Sequence, residues 1–257
     1  MSWTWDYRAA PVGDSLEILT DYCLEVRVLA EWSTGRRGDN LVGQYTHGEI
    51  VVPDKFVKGA NMVLETIVRY TNSAGAVTHG DGEAGHVMEN LGSLKRIFGG
   101  KQTALTRLQR IAPHQGTVTI DVEMLGSDAL PSQARHIFAW PLHAPKPYWT
   151  GAADNGNNGT TLTPGGDAPI DDMVIHLTGG TNAQLTHDDT GKFVKVVGTP
   201  GGTTDIDVGA RTADNGGDVL NLVRVNSPDW FQLDAGANAV TLTGGGSYTC
   251  DWNTKYR

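Results

Sequence analysis

All eight glutamates of this chain lie before residue 150, and every acidic residue beyond that point is an aspartate. Glutamate sits comfortably in helices, whereas aspartate, asparagine and glycine favour turns. Eighteen of the 33 glycines also fall in the later stretch. A chain divided in this way has two parts built on different rules: a mixed first part, and a second part made of short strands and tight turns. At 257 residues it is long enough for two ordinary domains. Pro141, Pro145 and Pro147 punctuate the chain near the change in composition, and Asp154-Asn-Gly-Asn-Asn-Gly159 then reads as a solvated linker. The expected division is residues 1–150 and 151–257.

Charge follows the same division. Residues 1–150 carry 16 acidic and 14 basic side chains, a net of −2, and residues 151–257 carry 13 and 6, a net of −7. The total of −9 argues against a general nucleic-acid binder, which needs a basic footprint. No run of eighteen apolar residues is present, so no membrane helix is expected. The first residues lack a basic stretch followed by an apolar one, so a secretory leader is not expected either. Two cysteines, Cys23 and Cys250, cannot supply a disulfide framework or a four-thiolate zinc site. They read as buried small apolar side chains in a protein made in a reducing cytosol.

The first part predicts strands at Leu24–Val28, Gly48–Val52, Met62–Tyr70, Thr117–Met124 and Arg135–Trp140. Thr117–Met124 is the clearest, with Val118, Ile120, Val122 and Met124 facing one way. Between them the period changes. Ala84, Val87, Met88, Leu91, Leu94 and Phe98 recur at spacings of three and four, the apolar face of one helix, stopped by Gly99-Gly100. This is an α+β or split-barrel arrangement. The second part predicts eight strands: Met173–Leu177, Ala183–Thr186, Phe193–Val197, Thr204–Val208, Val219–Val225, Trp230–Leu233, Ala239–Leu242 and Tyr248–Trp252. Glycine-bearing turns separate them, and the even spacing implies a β-sandwich of jelly-roll type. The chain is therefore expected to be mainly β.

Candidate chemistry is thin. His79, Asp81, Glu83 and His86 lie within eight residues, but their spacing matches no metal motif, and they read as a polar loop at the start of the helix. The 154–159 stretch fails the calcium-loop pattern, with glycine at its third and twelfth positions. Asp205 and Asp207 share one face of a strand, a geometry more often solvated than catalytic. Asn158-Gly-Thr160 is a glycosylation sequon, without meaning unless the chain is secreted. No phosphate loop, dinucleotide fingerprint, nucleophile elbow or paired-cysteine motif occurs. Neither an enzyme activity nor a cofactor or metal is expected.

Several pieces from the end of the first part through the second, in order, resemble one family. Pro147-Tyr-Trp149, the Thr-Gly turn at Asp189-Thr-Gly191, Thr204-Asp-Ile-Asp-Val208 with Arg211 and Asn215-Gly216, and the closing Trp252 and Lys255-Tyr-Arg257 are similar to elements of siphophage distal tail proteins of the Dit type. Ser227, Trp230-Phe231, Leu233, Gly236 and Asn238 match its S-x-W-F-x-L-x-x-G-x-N pattern. The stretch Gln184–Gly191 lacks an asparagine that the family carries before that turn. The resemblance implies an N-terminal split-barrel belt domain that closes into a homohexameric ring, and an outward galectin-like β-sandwich. It further implies a structural hub of the tail tip that joins the tail tube protein to a tail-associated or baseplate hub protein. The tape measure protein is a further contact, and DNA crosses the lumen without specific binding. Such a protein is made in the bacterial host cytoplasm and resides in the virion, with no membrane partner. Interface residues nominated on this basis are Trp3 and Trp5, apolar in a polar N-terminus, Arg36 and Arg37 on a glycine-rich loop, and Trp230.

A second function class is open to the same sequence. Trp230, Trp252 and Tyr248 on a β-sandwich could stack against sugar rings, which would make this a carbohydrate-binding module attached to a polysaccharide-degrading or host-adhesion protein. Because Trp230 and Phe231 are adjacent in an expected strand, one should point to the core and the other outward.

Overall fold

The structure is a computed structural model that describes residues 6–30, 36–37, 41–42, 49–50, 56–57, 60–99, 105–112, 115–125, 130–131, 136–228 and 230–256. The chain divides into two compact units, Met1–Trp149 and Thr150–Arg257.

In the first unit the strands run antiparallel in an open path. Glu17–Ile18 pairs with Asp6–Pro11, which pairs with Thr106–Ala112, which pairs with Gly116–Met124. The last two residues of Gly116–Met124 then pair with Ile137–Ala144, which pairs with Ala60–Val68, which pairs with Cys23–Ala30. No barrel closes among the described residues. Val118, Ile120 and Val122 are buried on one face, as their alternation requires. Of the expected Gly48–Val52 strand, only Glu49–Ile50 is among the described residues.

Pro141 interrupts no strand. Ile137–Ala144 runs through it. Its carbonyl accepts from Leu125 N at 2.8 Å, so its nitrogen faces the side where Gly116–Met124 has just ended. A missing N–H costs little where the neighbouring strand stops.

The helix spans Gly82–Gly99 and packs against Asp6–Pro11, Ala60–Val68 and Gly116–Met124. Val87, Leu91, Leu94, Ile97 and Phe98 are buried, and each such side chain contributes about 1.5–3 kcal/mol by leaving water. Phe98 meets Trp140 at 5.1 Å between ring centroids, and Trp140 Nε1 donates to Thr66 Oγ1 at 2.8 Å. Thr106 Oγ1 caps the carbonyl of Ile97 at 3.0 Å. Met88, expected on the buried face, is instead 67 % exposed. Two polar residues displaced it. The buried side chain of Asn90 donates to the carbonyls of Arg69 and Thr71, and buried His86 accepts from the loop before the helix. These bonds rotate the stripe toward 86, 90 and 97, away from Met88.

The second unit is a two-sheet antiparallel sandwich. One sheet runs Thr212–Asp214, Thr203–Asp207, Val174–Thr178, Ser247–Tyr256, Trp149–Asn157. The other runs Thr161–Leu162, Asn238–Thr243, Gln184–His187, Phe193–Val196, Val223–Val225. Ile175, Leu177, Ile206, Tyr248, Cys250 and Trp252 of the first sheet meet Leu185, Val194, Val196 and Val240 of the second in one core.

Three expectations fail here. Residues 154–157 are not linker but the end of the strand Trp149–Asn157. A Cβ on Gly156 would stand 2.4 Å from Leu162 and 2.9 Å from Trp252, so glycine marks a close crossing rather than a loose loop. Trp230–Leu233 is not a strand. Trp230 adopts φ 58 and closes a turn onto Ser227, and only Leu233 makes a bridge, with Ile170. Of Val219–Val225, only Val223–Val225 is strand, after a 3₁₀ turn at Leu220–Leu222.

Candidate functional site

The outward face of the first sheet carries a polar cluster centred on His176. Val174–Thr178 alternates, so Ile175 and Leu177 enter the core and His176 faces out. The register sets His176 opposite Asp205 on one side and Thr249 on the other, with Asp251 one diagonal step away. His176 Nδ1 lies 2.6 Å from Asp205 Oδ1, and Nε2 lies 3.2 Å from Asp251 Oδ2. Both ring nitrogens therefore face carboxylates, the arrangement of a doubly protonated imidazolium. Desolvation pulls the pKa of His176 down, but the hydrogen bond and charge of Asp205, then those of Asp251, outweigh it and hold it above its ordinary value.

The expected carboxylate pair is thus dismantled. Asp205 serves His176, and Asp207 Oδ1 accepts from Ala210 N at 2.7 Å inside a turn. Beside Asp251 an open groove of about 440 Å³ is lined by Asp154, Asn155, Asp172, Val174, Asp251 and Asn253 among others. Asp172 of that lining accepts from the buried Lys255 Nζ at 2.6 Å. Among the described residues no group of three or more histidine, cysteine or acidic side chains is placed to hold a metal ion.

The aromatic residues nominated for sugar stacking face inward. Trp252 is 4 % exposed and Tyr248 is 2 % exposed, and Tyr248 donates its hydroxyl to Gly159 O at 2.7 Å. Trp230 is half-buried against the same core, and Phe231 is fully buried. The pattern around them has its own reason. Asn238, 1 % exposed, accepts at Oδ1 from Asp234 N at 2.7 Å. Its Nδ2 donates to the carbonyls of Asp234, Gly236 and Leu162. His187 Nε2 adds a fifth tie to the same amide at 3.0 Å. Gly236 takes φ 92, which lets the intervening turn curl around that side chain. One asparagine thus organises the loop that follows Phe231.

In the first unit, the His79–His86 loop is structural. His86 Nε2 accepts from the backbone N–H of Thr78 at 2.9 Å and of His79 at 3.0 Å, and His79 Nδ1 accepts from Asp81 N. Trp3 and Trp5 lie outside the described residues. Arg36–Arg37 forms a two-residue strand paired with Phe56–Val57. Cys23 and Cys250 are both buried thiols, and burial is the main cause that pushes each up to about 12. Arg36 and Arg37 lie in the first unit and Trp230 in the second. The His176 cluster and the Lys255–Asp172 pair were not visible from sequence, because the fold joins residues 29, 75 and 83 positions apart. The outward position of His176 was visible in the alternation of its strand.

The large apolar side chains that remain exposed are unevenly placed. Of nine among the described residues, eight lie in the first unit, including Leu24, Tyr70, Val77 and Met88, and one, Leu220, in the second. Leu24 sits at a register shift in the strand Cys23–Ala30.

Comparison with known proteins gives three findings. Residues 165–256 match the family described as siphovirus-type tail component, C-terminal domain. The crystal structure of the SPP1 Dit (gp 19.1) protein, described as a paradigm of the hub adsorption apparatus in phages infecting Gram-positive bacteria, is similar at TM-score 0.64 and 17% identity over 98% of this chain and 99% of that one. A chain of the phage P2 baseplate in its activated conformation with Ca aligns over 96% of this chain and 98% of its own, at 10% identity and TM-score 0.37. No curated protein sequence matches.

Proposed function

We propose that this chain is a siphophage distal tail protein of the Dit type, with the role of a ring-forming hub that joins the tail tube to the tip or baseplate proteins. The observation that carries this reading is the family match over residues 165–256, together with a fold shared along the whole chain with a phage hub protein. As a tail component the protein resides in the virion. The finer reading is that the first unit is the belt and repeats a head-to-tail contact that closes by symmetry into a hexamer. The concentration of exposed apolar side chains in that unit supports it, since a surface of this kind calls for a partner. The second unit then stands outward, and tube protein, hub protein and tape measure protein meet the ring on its faces and lumen. The role is structural, with no turnover of substrate.

The test is the purified protein at high concentration, by mass photometry and negative-stain electron microscopy. Closed rings of six copies support the reading. Removing residues 1–6, which include Trp3 and Trp5, is expected to weaken assembly, and a truncated chain that forms rings at the same concentration would remove those residues from the interface. The carbohydrate-binding alternative loses its motive with Trp252 and Tyr248 in the core.

A further inference from the structure

We propose that Lys255 and Asp172 are a modification site, joined by a spontaneous intramolecular amide between Nζ and Cγ. The two groups are brought together by structure rather than by sequence, being 83 residues apart, with Nζ 2.6 Å from Oδ2. A carbonyl-type C–O bond adds about 1.2 Å, so Cγ lies within roughly 3.8 Å of the nitrogen, close to the separation at which held groups react as though at very high concentration.

The pair is poorly served as an ion pair. The Lys255 side chain is 3 % exposed. An ammonium carries three donors, and among the described residues Asp172 is its one acceptor. The other oxygen, Asp172 Oδ1, is buried with no hydrogen-bond partner. The Asp172 side chain is 24 % exposed, so the cost falls on the buried ammonium with its unmet donors and on the one buried oxygen without a partner. An amide carries neither charge and a single N–H.

Both residues are also clamped. The carbonyl of Lys255 accepts from Asp167 N and Ala168 N, at 3.0 and 3.3 Å. A Cβ on Gly166 would stand 2.0 Å from that carbonyl, and one on Gly209 would stand 2.9 Å from Cβ of Asp172. Two glycines thus let backbone approach closely at the Lys255 carbonyl and at Cβ of Asp172, which fixes where each side chain starts.

The step balances without a further reactant. One proton crosses from Nζ to Oδ2, leaving an amine facing a carboxylic acid. The nitrogen lone pair attacks Cγ, and the C–N bond forms. A second proton passes from nitrogen to the departing hydroxyl, the Cγ–Oδ2 bond breaks, and one water leaves through the adjoining groove. No oxidation occurs.

Electrospray mass of the intact, purified full chain reads the outcome. The chain is expected to be lighter than its sequence by one water, with a branched peptide joining residues 172 and 255 in the tandem spectrum of its digest. Lys255→Arg and Asp172→Ala are each expected to restore the full mass. A wild-type chain at full mass overturns the proposal. So does a water loss that survives Lys255→Arg, since a cyclic imide made by an aspartate alone would do that. Because the branched peptide is sought in the wild-type chain, a variant that fails to fold does not blur the result.

Discussion

The two units solve the same problem, a β-rich core, and finish their surfaces in opposite ways. The second unit buries its large apolar side chains almost completely and covers itself with aspartate, threonine and glycine, at a net charge of −7 over residues 151–257. The first balances its charges and leaves eight large apolar side chains open among its described residues. A unit that satisfies itself can face solvent. One that does not calls for neighbours. The contrast separates residues that hold the fold from residues that make contacts, and it can be attacked from both ends.

The largest effect is expected from Leu94→Ala in the first unit, a fully buried helix residue. The cavity should cost about 2–5 kcal/mol. In urea unfolding followed by probes specific to each unit, only the first transition should move. Next comes Asn238→Ala in the second unit, which strands the backbone groups that the amide now serves. A loss of about 3 kcal/mol is expected, confined to the second unit. A shift of both transitions together by either variant would show that the units are not independent.

His176→Gln should act through pH. The folded pKa of His176 is raised, so its contribution is complete below the unfolded value and disappears as pH rises through the folded one. The wild type should therefore lose stability of the second unit across and above neutral pH, and the variant should lack that slope. Asp205 and Asp251 are 52 % and 64 % exposed, so the effect should stay below about 1 kcal/mol. A pH profile unchanged by the substitution would make the cluster a bystander. Smallest in stability is Met88→Asp, expected within about 0.5 kcal/mol of wild type because the side chain is already in water. It sharpens the comparison by weakening self-association, read by mass photometry, while folding is untouched.

Much of the fold was written in local pattern. The helix, the strand Gly116–Met124 and most sandwich strands follow from the period of apolar residues. What escaped that pattern has physical causes. Gly156 looked like a turn residue because nothing local reveals Leu162 and Trp252 crossing above it. Met88 looked buried because hydrophobicity does not weigh the hydrogen bonds that turn His86 and Asn90 inward. Trp230 looked like half of a strand pair because its left-handed backbone is invisible in residue type. Nothing local reveals that Lys255 is buried, since its partner Asp172 lies 83 residues away.

The position of Ser247–Tyr256 has a consequence for how the protein is made. This strand lies inside its sheet, between Val174–Thr178 and Trp149–Asn157, yet it is the last strand of the sandwich to be synthesised. Its neighbours leave the ribosome first and must wait beside an empty slot with their inner edges unpaired. The first unit, complete by residue 149, can fold while synthesis continues, but the sandwich cannot close until residue 256 has emerged. Closing a sheet over such sequence separations is slow. During that wait the nascent second unit is the stretch of chain most exposed to proteases and to mispairing with other copies.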